Sequence, residues 1–166
     1  CLNASGRSGS GADPDRLRAE GHETIPFHGH IAAVPVPGCV DGWLALHARF
    51  GRLPIDRLLA PAIAYAAEGF PASLLLAFMA DGLREVPGAA ELAAVAGATG
   101  KTVQRPGHAR ALRAVVADGR AGFYEGEFGD GLLALGAGEF SPADLERGCA
   151  DWVDPLSARV HGVDVW

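Results

Sequence analysis

The sequence predicts an α+β chain that is mostly helical. Between residues 40 and 135, apolar residues recur mainly every three or four positions, which is the helical period. Near the start, the β-branched run Ile31 to Val36 is closed by Pro37-Gly38 and predicts one buried strand. At the end, apolar residues alternate from Val153 to Val165 around His161-Gly162, which predicts a hairpin. A lone strand and a hairpin need further strands to satisfy their backbone groups, so we expect the sheet to lie largely elsewhere.

Composition describes a globular chain and excludes several classes of function. Of the 166 residues, 49% are apolar and 20% are charged, which is unlike a disordered chain. The net charge of −6 argues against a nucleic-acid partner, because such binding depends on neutralising phosphates. No apolar run approaches the roughly 20 residues that cross a bilayer, so we expect no membrane partner. We interpret residues 1–166 as a single partial domain, an internal piece of a longer chain, because the sequence starts at Cys1 and shows no signal peptide. A soluble protein is expected, in the cytoplasm, or outside it if a signal peptide precedes this chain.

Helix signals follow one another along the chain. Asp13 before Pro14 predicts an N-cap and a short helix that runs to Gly21. The stripe Val40, Trp43, Leu44 and His47 predicts a helix that Gly51 ends. Further helices are predicted over residues 54–69, with a kink or division at Pro61, and over 73–86 (stopped by Pro87-Gly88), 89–96, 108–118 and 121–135, with a loop over 97–107. Ser141-Pro142-Ala143-Asp144 predicts one more helix start, through a capping hydroxyl and an early carboxylate.

Most local chemistry in the sequence favours an ordinary structural role. Gly97 to Thr102 imitates the end of a phosphate-binding loop, but Val95 stands where the first glycine is needed. His22, Glu23, His28 and His30 could be metal ligands, yet alternate histidines of an extended segment point to opposite faces, so we predict no metal and no cofactor.

Other reactive side chains are treated in the same way. Cys1 would need a following strand to act as a terminal nucleophile, and a glycine-rich loop follows it instead. The acidic pair Glu125 and Glu127 is more typical of a solvated first helical turn than of an acid–base site. No catalytic residue is therefore predicted within this chain.

Several segments, in order and over essentially the whole chain, resemble the larger chain of the γ-glutamyltransferase family. The matching segments are residues 34–43 (VPVPGCVDGW), 50–54 (FGRLP), 58–63 (LLAPAI), 68–71 (EGFP), 122–127 (GFYEGE) and 140–145 (FSPADL). The resemblance implies an N-terminal-nucleophile hydrolase, with two sheets between helical layers. It also implies self-cleavage that exposes a threonine, which attacks γ-glutamyl amides such as glutathione and passes the acyl group to water or an amine.

The resemblance assigns one site residue, Arg7, in the segment Asn3 to Arg7. It places there the arginine that binds the α-carboxylate of the substrate, and a planar guanidinium suits that task. The family usually continues with alanine-proline, whereas Ser8-Gly9-Ser10-Gly11 follows here.

The catalytic threonine of the family opens its smaller chain in a Thr-Thr-His context that this sequence lacks. Its threonines are Thr24, Thr99 and Thr102, and none has that context. We therefore expect a γ-glutamyltransferase or glutathione hydrolase-like enzyme that needs a downstream small chain as partner, with this chain inactive alone. Two alternatives stay open: an acylase of the same superfamily acting on another side-chain amide, such as a glutaryl β-lactam, and a non-catalytic remnant that binds a partner.

Overall fold

The computed structural model describes residues 1–26, 29–86 and 88–166, and these are mainly helical. The helices are α1 (Pro14–Ala19), α2 (Cys39–Phe50), α3 (Ile55–Glu68), α4 (Leu74–Met79), α5 (Ala90–Ala93), α6 (Pro106–Tyr124), α7 (Glu127–Leu135) and α8 (Pro142–Glu146), with 3₁₀ turns at Ile31–Ala33 and Ala80–Leu83. The strands are β1 (Leu2–Asn3), β2 (Phe70–Pro71), β3 (Thr102–Val103), β4 (Asp151–Trp152), β5 (Ala158–Val160) and β6 (Val163–Val165). The predicted α+β class is confirmed. Within the described ranges, no helix combines the length and hydropathy that crossing a bilayer requires.

Backbone contacts divide the chain into two compact units. The first unit joins Cys1–Phe50 to Leu133–Trp166, and the second unit is Gly51–Leu132. The first unit is therefore built from two segments that are far apart in sequence, whereas the second is one continuous segment.

In the first unit, the two segments are tied together by a short antiparallel pair. Leu2 of β1 lies opposite Trp152 of β4, and Asn3 lies opposite Asp151. The N-terminal ammonium of Cys1 adds a hydrogen bond of 3.0 Å to the carbonyl of Val153. The buried apolar side chains of this unit are Leu17, Val36, Val40, Phe140, Leu145 and Cys149.

In the second unit, helix α3 packs against α6. Strands β2 and β3 form an antiparallel pair, with Phe70 opposite Val103. The core beside this pair consists of Ala72, Ala80, Val95 and Val103, with Phe70, Leu76, Leu92 and Ala96 packed against it.

The strongest local signals in the sequence are confirmed. The Asp13 side chain caps α1 by accepting from the backbone N–H groups of Asp15 and Arg16. Ser141 and Asp144 form the reciprocal capping box of α8. The hairpin β5–β6 turns at His161-Gly162, where both residues have positive φ, as the tight hairpin turn requires.

The predicted strand from Ile31 to Val36 is wrong. The His30 side chain accepts a hydrogen bond of 3.1 Å from the Ala32 N–H and thereby caps a 3₁₀ turn over Ile31–Ala33. Val36 is buried as expected, but its pairing is a single bridge to Arg7. The apolar run from Ile31 to Val36 therefore ends in a buried residue but does not form an extended strand.

Several helix boundaries also differ from the predictions. The helix expected over 73–86 begins at its Ser73 cap, but its α-helical part ends at Met79 and continues as a 3₁₀ turn. The expected stop at Pro87 lies outside the described residues. The end predicted at Gly119 for the helix over 108–118 is confirmed, since φ there is +61°, but the helix expected over 121–135 is interrupted before Glu127. The loop expected over 97–107 contains β3, because two residues are too few to show an alternating pattern.

Two further expectations about helices are corrected. Helix α3 runs from Ile55 to Glu68 with Pro61 inside it, so of the kink and the division that the sequence allowed, the division is wrong. In α2, Val40 is buried but Trp43 is 45% exposed, and the buried face instead includes Asp41. The Asp41 carboxylate accepts a hydrogen bond of 2.7 Å from the backbone N–H of Cys149, so a polar contact holds this face in place of an apolar stripe.

Candidate functional site

The backbone before Arg7 lies so close to the carbonyl group of Val36 that only glycine fits at position 6. Gly6 has φ of +92°, and a Cβ on it would overlap the carbonyl oxygen of Val36. Arg7 then pairs with Val36 through two backbone hydrogen bonds. The Val36 N–H donates to the Arg7 carbonyl at 2.7 Å, and the Arg7 N–H donates to the Val36 carbonyl at 3.4 Å. The backbone of Arg7 is therefore fixed against the buried Val36.

The Arg7 guanidinium is held by the loop that follows α8. Its Nε and Nη2 donate to the carbonyl oxygen of Gly148 at 3.3 and 3.1 Å. Its Nη2 also donates to Oδ2 of Asp151 at 2.8 Å. Among the described residues, none accepts a hydrogen bond from Nη1. One end of the guanidinium thus remains for a ligand, while the rest fixes its orientation.

A carboxylate beside Arg7 is held ionised by a dense set of hydrogen bonds. Oδ2 of Asp144 accepts from the backbone N–H and hydroxyl of Ser10 and from those of Ser141, at 2.8 to 3.1 Å. Burial of this carboxyl raises its pKa, but the four hydrogen bonds outweigh burial and lower the pKa of Asp144 to about 2. The serine-glycine segment after Arg7 is therefore anchored through Ser10.

These groups line one pocket of the first unit. Its volume is about 320 Å³, and its wall is formed by Arg7, Ser8, Val36, Asp144 and Arg147. This is the lower end of the range for small-ligand sites, and it suits a small polar molecule better than a drug-sized apolar one.

An ion pair between a partly exposed arginine and a buried glutamate supports the segment that leads away from the pocket. The Arg16 side chain contacts the carboxylate of Glu139, which is only 5% exposed. The carbonyl of Glu139 accepts a 3.0 Å hydrogen bond from the Gly11 N–H. The pair therefore fixes the loop that carries Arg7 and Ser10 from its far end.

The histidine cluster considered from the sequence is only partly assembled. Glu20, His22 and His30 have ligand atoms within 4.8 Å of one another, whereas His28 lies outside the described residues. Nδ1 of His30 accepts the Ala32 N–H, so the proton of the neutral ring is on Nε2, which faces Glu20 at 3.8 Å. A metal ion on Nε2 would require that proton to move to Nδ1 and the capping bond to break, so the geometry favours the His–Glu pair.

Among the described residues, charged side chains of two other motifs are held by contacts within the protein. Lys101, in the segment that resembles the end of a phosphate-binding loop, donates to the carbonyl of Ala94 at 2.8 Å. Glu127 accepts three hydrogen bonds from Arg110, and the bonds from Arg110 lower the pKa of Glu127. A carboxylate with a lowered pKa is poorly suited to act as a general acid near neutral pH.

Comparison with known proteins identifies the family. Residues 1–166 match the family model described as Gamma-glutamyltranspeptidase. The chain belongs to the gamma-glutamyltranspeptidase family. It is 31% identical to the glutathione hydrolase-like YwrD proenzyme of Bacillus subtilis and 33% identical to the oxamate amidohydrolase proenzyme of Klebsiella pneumoniae, over 99% of this chain in both cases. It spans about one third of the length of these relatives, 33% and 34%.

The fold agrees with this membership of the gamma-glutamyltranspeptidase family. The crystal structure of cephalosporin acylase from Bacillus halodurans superimposes with a TM-score of 0.84 at 30% identity, covering 99% of this chain and 34% of that one. The structural neighbours are N-terminal-nucleophile hydrolases, so the expected α+β class and superfamily are confirmed.

Within the gamma-glutamyltranspeptidase fold, the contacts of Arg7 could not be found by local patterns. Asp151 is 144 positions away in sequence, and Gly148 contributes only a backbone carbonyl. Asp144 was expected as a helix-capping carboxylate, and its hydrogen bonds to Ser10, 134 positions away, add a contact that no local pattern shows.

Proposed function

We propose that this chain is the carboxylate-binding part of an enzyme that hydrolyses or transfers γ-glutamyl amides such as glutathione. Arg7 is assigned to the α-carboxylate of the substrate. The observation that supports this role is the guanidinium in the pocket wall, oriented by Gly148 and with Nη1 left without a partner among the described residues. A guanidinium binds carboxylates well because its donors lie in one plane and its charge is permanent.

Asp151 forms an ion pair with the Arg7 guanidinium, the group assigned to the substrate carboxylate. It takes one Nη2 hydrogen in a pair whose side chains are 32% and 53% exposed. Exposed pairs of this kind contribute only about 0–1 kcal/mol, so a substrate carboxylate can replace Asp151 at little cost. A bidentate contact through Nη1 and Nη2 then becomes available.

The acyl-enzyme is assigned to a threonine outside this chain. The nucleophile of such hydrolases uses its own α-amino group as base, so it must stand at the start of a chain. Thr24, Thr99 and Thr102 all lack the Thr-Thr-His context of the family's nucleophile, and Thr102 lies in β3. We propose that a downstream small chain supplies the nucleophile and that this chain alone is inactive.

An acylase of the same superfamily is the second candidate. The similarity to a cephalosporin acylase structure and to an oxamate amidohydrolase supports it, because these names describe other amide substrates. The third candidate, a non-catalytic remnant that binds a partner, differs from both in having no small chain.

The decisive experiment begins with the reading frame. We expect the frame to continue past the codon for Trp166 to a Thr-Thr-His triplet, whereas a stop codon before any such triplet would favour the remnant. The chain is then expressed alone and together with the downstream product, and release of p-nitroaniline from γ-glutamyl-p-nitroanilide is measured. We expect activity only in the combination. Turnover by the chain alone, or by neither preparation, contradicts the proposal.

Variants of Arg7 test its assigned role in the combined protein. Arg7→Ala should raise KM for the anilide about 30-fold, because a charge-assisted pair contributes roughly 2 kcal/mol. Arg7→Lys keeps the charge but loses the planar fork, so it should recover only part of the affinity. Arg52→Ala, at an exposed arginine, is the control for loss of charge. A KM that is unchanged in Arg7→Ala removes Arg7 from the site.

A further inference from the structure

One peptide group in the first unit is held on both edges by side chains of opposite charge. The carbonyl oxygen of Gly148 accepts hydrogen bonds of 3.3 and 3.1 Å from Nε and Nη2 of Arg7. The N–H of the same peptide group belongs to Cys149 and donates to Oδ2 of Asp41 at 2.7 Å. Because this peptide bond is planar and trans, its carbonyl and its N–H point in opposite directions. The guanidinium therefore lies at the negative end of the peptide dipole, and the Asp41 carboxylate lies at the positive end.

Asp41 is fixed in the first turn of α2. It is only 6% exposed, and Cys149 is 3% exposed, so their hydrogen bond is shielded from water. A hydrogen bond to a charged acceptor is strong, and it is stronger away from solvent. The start of a helix also favours a carboxylate, because its unpaired N–H groups carry a partial positive charge. Asp41 is therefore a firm anchor for the N–H edge of this peptide.

The start of α2 also contacts the segment that carries Arg7. A Cβ on Gly38 would overlap the carbonyl group of Ala4, and a Cβ on Gly42 would come too close to the Ala4 methyl group. The backbone of Arg7 itself is paired with Val36, just before α2. The same end of the helix thus positions both the backbone from which the guanidinium extends and the peptide group on which the guanidinium rests.

The Gly148 carbonyl is the contact of the guanidinium that has to persist when a substrate carboxylate binds. The Asp151 side chain is 53% exposed and can be exchanged for another carboxylate, whereas a carbonyl does not compete with one. Gly148 has no side chain to restrict its backbone, so the peptide that follows it can rotate at little cost. The hydrogen bond to Asp41 opposes that rotation, because turning the carbonyl away from Arg7 would also withdraw the Cys149 N–H from the carboxylate.

We propose that Asp41 is a positioning residue for Arg7. Its carboxylate holds the peptide between Gly148 and Cys149 with the carbonyl towards the guanidinium, so that the planar fork keeps one orientation. Asp41 itself is assigned no contact with the substrate. The inference rests on the proposed function for the carboxylate role of Arg7. Since that carboxylate is not the reacting group, loss of Asp41 should raise KM and leave kcat nearly unchanged.

The first test follows both edges of the peptide in the ¹⁵N-labelled chain. The variant Asp41→Asn keeps a carbonyl acceptor but loses the charge, so it weakens the bond to the Cys149 N–H. We expect the Cys149 amide signal to shift and the Arg7 Nε–H to exchange with water about threefold faster, because the two bonds strengthen each other through the peptide. Asp154→Asn, which removes an exposed charge from the same unit, should change neither. An unchanged exchange rate of the Arg7 Nε–H in Asp41→Asn overturns the inference, whether or not the amide shifts.

The reciprocal variant keeps the test decisive if Asp41→Asn does not fold. Arg7→Ala removes a side chain that is 32% exposed and leaves the Gly148 carbonyl without the guanidinium. The buried Cys149 amide should then exchange its hydrogen faster, because its bond to Asp41 is no longer reinforced from the other edge. Unchanged exchange of this amide also overturns the inference. Far-UV circular dichroism establishes which variants are folded.

The second test is a double-mutant cycle on KM for γ-glutamyl-p-nitroanilide in the combined protein. Asp41→Asn alone should raise KM about threefold, because a charge-assisted hydrogen bond is weakened but not removed. In an Arg7→Ala background it should raise KM no further, because a residue that acts through Arg7 then has nothing to position. Effects that multiply in the double variant would show that Asp41 acts in another way, and they would overturn the inference.

Leu17→Ala is the control for lost stability. It truncates a buried side chain of the same unit, so it should lower the free energy of unfolding but leave the Arg7 Nε–H exchange and KM unchanged. Equal changes in Leu17→Ala and Asp41→Asn would reduce the effect to lost stability and refute the positioning role.

The outcomes separate this inference from the proposed function. Faster exchange of the Arg7 Nε–H in Asp41→Asn supports the inference even if the combined protein fails to cleave the anilide. Cleavage with a KM that rises in Arg7→Ala but not in Asp41→Asn supports the proposed function and refutes the positioning role.

Discussion

Replacing Asp144 by asparagine tests whether charge at this carboxyl stabilises the first unit. All four hydrogen bonds to the side chain end on Oδ2, and the donors belong to Ser10 and Ser141. Asparagine keeps a carbonyl oxygen of similar shape but carries no charge. The Asp144→Asn variant therefore removes the charge-assisted part of these bonds while leaving the packing nearly unchanged.

The expected magnitude follows from the pKa of this group. Its pKa in the folded chain is about 2, against an ordinary value of 3.8. At 1.36 kcal/mol per pH unit, that difference corresponds to roughly 2 kcal/mol of folding free energy at neutral pH. Asp144 is partly exposed, and solvent screening reduces the expected loss to about 1 kcal/mol.

The pH dependence has a defined sign. Because the folded-state pKa is depressed, the stabilisation is complete above the unfolded-state pKa of 3.8 and is lost as the pH falls towards about 2. The wild-type chain should exceed Asp144→Asn by about 1 kcal/mol at pH 7, and roughly half of that difference should remain at pH 3. Urea unfolding followed by far-UV circular dichroism at pH 7, 4 and 3 measures these free energies.

Asp154→Asn supplies the matched control. Asp154 is an exposed aspartate of the same unit, so its replacement removes one negative charge without removing the serine contacts. We expect its free energy of unfolding to stay within about 0.5 kcal/mol of the wild type at every pH. The reasoning fails if both variants lose the same stability at pH 7, or if the loss in Asp144→Asn is as large at pH 3 as at pH 7.

Two further predictions concern the loops that carry the pocket. Arg16→Ala leaves the Glu139 carboxylate buried without its partner and should lower the free energy of unfolding by about 3 kcal/mol. The double variant Arg16→Met with Glu139→Leu removes both charges and should lose less stability. Equal losses of the two variants in urea unfolding would contradict this. Gly6→Ala should cost about 2 kcal/mol more than Gly21→Ala, because φ is nearly the same at both, +92° and +91°, but only at Gly6 would the new methyl group overlap a carbonyl. Thermal unfolding of the two variants checks the difference, and matching midpoints would show that steric overlap is unimportant there.

Local signals in the sequence predicted the elements whose cause is local. The caps of α1 and α8 depend on Asp13 and Ser141, which bond to groups at most three positions away. The hairpin turn depends on His161 and Gly162 themselves. Such features can be read from adjacent residues because their energies come from adjacent residues.

Long-range contacts account for what the sequence did not predict. Strands β1 and β4 have two residues each, too few for an alternating pattern, and they pair from opposite ends of the chain. Val36 reads as part of a strand because it is buried, while the neighbouring His30 side chain directs the preceding residues into a turn. Arg7 was located through the family resemblance, since no local pattern distinguishes it from any other loop arginine.

The discontinuity of the first unit determines when its pocket can form during synthesis. Arg7 leaves the ribosome early, but its anchors Gly148 and Asp151 are translated more than 140 residues later. The intervening Gly51–Leu132 is a continuous unit and has all of its own partners by then. Closing so long a loop carries an entropic cost that short-range contacts avoid. We therefore expect the nascent chain to complete Gly51–Leu132 before the pocket beside Arg7 is ordered.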